Sequence, residues 1–74
     1  MNKMVLLNYD KVKYYCKKKN MTVAGLASEL NVTRQTIRNW SIKPTFQYNL
    51  WHLEDVLGAK TNDLLAIEYN SSSN

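Results

Sequence analysis

The sequence predicts an all-α fold, a compact domain of five short helices. Three observations point there. Apolar residues recur at helical spacing through most of the chain, only two glycines and one proline interrupt it, and no alternation of apolar and polar residues runs long enough to demand a strand. With 74 residues the chain has room for one domain. A domain of that size buries a limited share of its surface and stands on a thin margin of stability. We assign the domain to residues 1–69 and expect the polar tail, 70–74, to be disordered, because it offers no apolar surface to bury.

The first helix is predicted from about Asn8 to Lys19, with Tyr9, Val12, Tyr15 and Cys16 on its inner side. Asn8 suits the N-cap, Asp10 suits the first turn, and Lys17, Lys18 and Lys19 suit the end of the helix dipole. Asn20 can take the left-handed residue that closes it. The second helix runs from Val23 to Leu30 behind Thr22, burying Leu26, Ala27 and Leu30. The third starts after Thr33 and reaches about Trp40, burying Ile37 and Trp40. After a linker containing Pro44, Thr45 caps a fourth helix that ends near Gly58 and whose seam is Phe46, Leu50, Leu53 and Leu57. A short fifth helix, capped by Thr61 or Asn62, carries Leu64, Leu65 and Ile67.

Charge divides the chain. Residues 1–43 hold nine of the ten Lys and Arg and only Asp10 and Glu29 as acids, a balance of +7. Residues 44–74 set Lys60 against Glu54, Asp55, Asp63 and Glu68, a balance of −3. Such asymmetry suits a polyanionic partner on one side only. The lone cysteine, Cys16, cannot form an internal disulfide and reads as a small buried hydrophobe. One His and one Cys do not make a metal site. No nucleophile–base–acid set and no glycine-rich phosphate loop is visible. The expectation is therefore a protein that is not an enzyme, with no cofactor and no small-molecule ligand. No apolar stretch approaches the length of a membrane span, so a cytoplasmic protein without a membrane partner is expected.

The segment Val23–Trp40 carries the functional reading. Two short helices are joined by a turn of a few residues. Ala27 on the inner face of the first lets the second cross closely, and Asn31 tolerates the positive φ such a turn requires. With Ile37 and Trp40 anchored in the core, Arg34, Gln35 and Arg38 face outward at i, i+1 and i+4, followed by Asn39. The major groove of DNA admits a helix, and Arg, Gln and Asn are the side chains that read base edges there.

Leu26–Ala27, Leu30, Val32, Thr33, Ile37 and Trp40, together with Leu50–Gly58 and Thr61–Leu65, resemble the phage repressor and Cro type of helix-turn-helix protein, the XRE family. The resemblance spans roughly residues 8–67 and implies a lambda-repressor-like domain. Thr33, Arg34, Gln35, Thr36 and Arg38 would enter the major groove of double-stranded DNA. Asn39 would meet a base or a phosphate, Lys43 would clamp a second phosphate, Lys17, Lys18 and Lys19 would reach flanking phosphates, and Thr22 would belong to the same DNA-binding set. The implied function is a Cro-like transcriptional regulator, acting as a homodimer with recognition helices about 34 Å apart. Val23 stands where many relatives place Gln, and helix four carries surplus aromatics. These features suggest the alternative of an antirepressor that binds a cognate phage repressor protein. Its contact surface would use Phe46, Tyr48, Trp51, Leu65, Ile67 and Tyr69.

Overall fold

The computed structural model describes residues 3–69. Its elements run β1 (Met4–Leu7), α1 (Tyr9–Lys18), α2 (Val23–Glu29), α3 (Arg34–Asn39), β2 (Thr45–Phe46), α4 (Gln47–Leu57) and β3 (Leu65–Tyr69). The fold is α+β: four helices pack beside a three-stranded antiparallel sheet of order β2-β1-β3. The expected disordered tail at 70–74 lies outside the described residues.

The four helices stand where local chemistry puts them. Asn8 Oδ1 accepts the Lys11 N–H at 3.3 Å, and Thr22 Oγ1 accepts the Gly25 N–H at 2.9 Å. Thr33 Oγ1 accepts the Thr36 N–H at 3.1 Å. Each cap satisfies a donor that the first helical turn leaves orphaned. Asn20 and Asn31 adopt left-handed φ of 59° and 61°, ending α1 and α2, and Gly58 does the same for α4 at 66°. Helix α4 begins later than expected. Thr45 lies in β2, where its hydroxyl accepts from the Asn49 side chain at 2.8 Å, and the N-cap position falls to Phe46, which offers no capping side chain.

The all-α, five-helix expectation fails at both ends of the chain. Met4–Leu7 is a strand whose inward residues, Val5 and Leu7, are buried. Four residues are too few for a period of two to show against the helical background, and both pairing partners lie beyond residue 44. The predicted fifth helix is β3. Asn62 takes a φ of 66°, which turns the chain immediately before Leu64. The unpaired edge of β1 then captures Leu65–Tyr69, a segment whose Ile67 and Tyr69 favour a pleated surface.

One core joins the two layers. Val5, Leu7, Val12, Cys16, Leu26, Ala27, Ile37, Leu50, Leu53, Leu57 and Leu64 are buried, with Tyr15, Leu30 and Trp40 packed against them half-buried. Phe46, expected in the α4 seam, is exposed instead, because β2 pairing places it opposite Met4 on the outer sheet face.

Two acidic residues hold the 59–64 turn that leads into β3. Glu54 is buried on α4, with its carboxyl near the backbone N–H groups of Asn62 and Leu64 and its Oε2 without a hydrogen-bond partner. Burial pushes the Glu54 carboxyl up from its ordinary range, and those two N–H groups offset part of the rise. Asp63 accepts from the Tyr15 hydroxyl, and Lys11 Nζ lies 3.6 Å from its other oxygen. The tyrosine hydrogen bond holds the Asp63 carboxyl below its usual value. A carboxylate held low stabilises the fold at neutral pH, and that contribution is lost as pH falls through its folded-state value, below 3.8. Tyr15→Phe is therefore expected to lower stability at pH 7, to return Asp63 toward its ordinary range in an NMR titration, and to lose its penalty in acid. An equal penalty at all pH values would show that Tyr15 acts only by packing.

Candidate nucleic-acid interface

Helix α3 has six residues, and its orientation rests on a few contacts. Ile37 is fully buried, and the Trp40 carbonyl accepts the Leu7 N–H at 2.9 Å, which ties the end of the helix to the sheet. At its start the Thr33 and Thr36 hydroxyls lie 2.9 Å apart. With the inner side committed, Arg34, Gln35, Arg38 and Asn39 are exposed. Gln35 Nε2 donates to Asn39 Oδ1 at 3.0 Å, one turn further on, which orders both amides on the outer face. Among the described residues no carboxylate pairs with Arg34 or Arg38.

The structure thus gathers Thr33, Arg34, Gln35, Thr36, Arg38 and Asn39 on one element. Lys43 follows in the exposed turn after α3, where its backbone N–H donates to the Asn39 carbonyl at 2.8 Å. The other expected phosphate contacts lie off α3, on or beside α1 and α2, and are exposed. Lys18 is drawn over the Tyr14 and Tyr15 rings at 5.4 and 5.7 Å. Lys19 passes beside Gly58, and the Thr22 hydroxyl is occupied in capping α2.

Sequence reasoning missed two residues on this side of the molecule. Tyr9 and Lys13, one turn apart on α1, line a cleft with Arg34, Gln35 and Arg38. Helical spacing places Tyr9 on the inner side of the first helix. Its ring is only half-buried, and Arg38 and Lys13 lie over it at 5.8 and 5.6 Å from the ring centre. A tyrosine at a helix start, four residues before a lysine, was the only hint in the sequence.

The expected protein-contact residues divide. Cross-strand pairing places Phe46 and Tyr69 beside Met4, and Ile67 beside Leu6, all on the outer face of the sheet. Phe46 stacks on Tyr48 with ring centres 5.6 Å apart. Phe46, Tyr48, Trp51, Ile67 and Tyr69 are exposed, whereas Leu65 is half-buried against the core. Among the described residues no three His, Cys, Asp or Glu side chains come together as metal ligands, and no helix is long and apolar enough to cross a membrane.

The family described as DNA-packaging protein gp3 matches residues 3–73, nearly the entire chain. The chain belongs to that family. No curated protein and no solved structure matches it. Membership overturns the reading of the chain as an XRE-type transcriptional repressor, and with it the antirepressor alternative. The physical reason lies in what the motif encodes. Leu26, Ala27, Asn31 and Ile37 specify how two short helices cross, and that crossing serves any protein that needs an exposed helix beside a tight turn. This chain uses that local solution, but its third strand stands where the repressor type has its fifth helix.

The cap at Thr33 sets where the outer face of α3 begins. Thr33→Ala is expected to cost about 1 kcal/mol, read as a fall in the denaturation midpoint, with Thr33→Ser restoring most of it. A serine variant as unstable as the alanine variant would assign the effect to the threonine methyl group and not to the cap.

Proposed function

We propose that this chain is a DNA-contacting protein of a phage genome-packaging apparatus, acting by binding and not by catalysis, and that it meets duplex DNA with the outer face of α3. The observation that carries this reading is the exposed basic and amide face Arg34, Gln35, Arg38 and Asn39, whose arginines pair with no carboxylate among the described residues, in a member of a DNA-packaging family. Arg presents a planar fork to guanine edges or phosphate, and Gln and Asn suit adenine. Lys43 supplies a phosphate contact beside the helix. The concentration of positive charge in residues 1–43 supports attraction of a polyanion to this side, and the acidic second half of the chain opposes it elsewhere.

The test is binding of purified, folded protein to labelled duplex across a salt series. Binding is expected at about 50 mM salt, weakening steeply as salt rises. Arg34→Ala and Gln35→Ala are each expected to cost roughly 1–3 kcal/mol and to relax preference at one base position. Lys43→Ala should weaken all sequences alike and reduce the salt slope by about one. Folded protein that binds no duplex at about 50 mM salt would overturn the proposal.

A further inference from the structure

Tyr9 brings two cations together that have no reason in the fold to meet. Its ring attracts the Arg38 guanidinium from α3 and the Lys13 ammonium from α1, both within 6 Å of its centre. Arg34 lines the same cleft one turn before Arg38. Like charges four residues apart on a helix destabilise it slightly, and the third cation adds to the repulsion. Among the described residues the one carboxylate that pairs with this group is Asp10, 3.6 Å from Lys13, whose side chain is 91% exposed. A pair that open to water contributes little. The cleft therefore concentrates positive charge that is little offset within the fold and suits an anion from outside the chain.

We propose that the cleft between α1 and α3, bounded by Lys13, Arg34 and Arg38 around the Tyr9 ring, is a seat for a phosphodiester of the DNA backbone. The inference rests on the reading of α3 as the DNA-contacting helix and deepens it: DNA lying against α3 is gripped from α1 as well. Tyr9 is a positioning residue here. Its ring holds the Arg38 fork over the cleft in advance, so less side-chain freedom is lost when the phosphate arrives. Gln35, whose amide nitrogen already donates to Asn39, contributes to the wall of the seat and is not its charge.

The experiment compares duplex binding by the wild type, Lys13→Gln, Tyr9→Leu, Tyr9→Phe and Lys60→Gln over a salt series, with folding of each variant checked by circular dichroism. Lys13→Gln is expected to reduce the salt slope by about one and weaken affinity several-fold, while Lys60→Gln, which removes a lysine from the acidic half, leaves the slope unchanged. Tyr9→Phe keeps the ring and should bind as the wild type does, whereas Tyr9→Leu should weaken binding. If Tyr9→Leu unfolds the protein, Lys13→Gln alone decides, since Lys13 is half exposed and outside the core. Wild-type slope and affinity in folded Lys13→Gln, with Arg34→Ala still weakening binding, would overturn the phosphate seat and leave the α3 reading standing. A wild type that binds no duplex would overturn both. A parallel titration with inorganic phosphate distinguishes the source of the anion. Saturable shifts at Tyr9 and Lys13, with duplex affinity indifferent to Lys13→Gln, would assign the cleft to a free anion and refute the phosphodiester.

Discussion

Met4–Leu7 is paired along both edges, to Thr45–Phe46 on one side and Leu65–Tyr69 on the other. At its ends three further backbone hydrogen bonds draw in the rest of the molecule. Leu7 donates to the Trp40 carbonyl at 2.9 Å, Asn8 donates to Leu64 at 2.8 Å, and Lys3 accepts from Gln47 at 3.1 Å. The end of α3, the start of α4 and the turn before β3 are thus all referenced to one short strand. Buried backbone groups must be paired somewhere, and here that requirement decides the architecture: segments distant in sequence converge because β1 offers the partners. Val5 and Leu7 place apolar weight behind the pairing, since both are fully buried against α4 and the other helices.

This frame explains how a six-residue helix can hold a polar face in a defined direction. Isolated helices of that length do not persist in water. α3 persists because Thr33 caps it, Ile37 is buried beneath it and Trp40 is fastened to β1. With three sides committed, Arg34, Gln35, Arg38 and Asn39 have one direction left; Gln35 and Asn39 are ordered against each other, and Arg38 against Tyr9. Rigidity of this kind favours recognition, because little conformational freedom remains to be lost when a partner arrives.

What could be read from the sequence follows the range of the forces involved. Helices α1 to α4, the caps at Asn8, Thr22 and Thr33, the left-handed Asn20 and Asn31 and the stop at Gly58 were all legible, because each depends on residues within a turn or two of itself. The sheet was not. Val5 and Leu7 read as a brief apolar run, and nothing local says that Thr45–Phe46 and Leu65–Tyr69 will meet it. The fifth helix failed for the same reason: Leu64, Leu65 and Ile67 fit a helical stripe until β1 competes for them. The outer face of α3 was legible as a face, while the nearness of Tyr9 and Lys13 to it, which depends on how α1 packs, was not. The functional class was the least accessible. The helix crossing encoded by Leu26, Ala27 and Ile37 is shared by proteins of different purpose, and only the match over residues 3–73 separates packaging from regulation.

What we propose is that DNA meets this protein on α3, with α1 at its side, and not on the outer face of the sheet. NMR shift mapping of labelled protein titrated with a short duplex tests it directly. The account predicts that the largest changes fall on Thr33 to Asn39, Lys43, Tyr9 and Lys13, with Met4, Leu6, Phe46, Ile67 and Tyr69 unmoved. Changes centred on the outer sheet face, with the α3 signals unaltered at saturation, would contradict it.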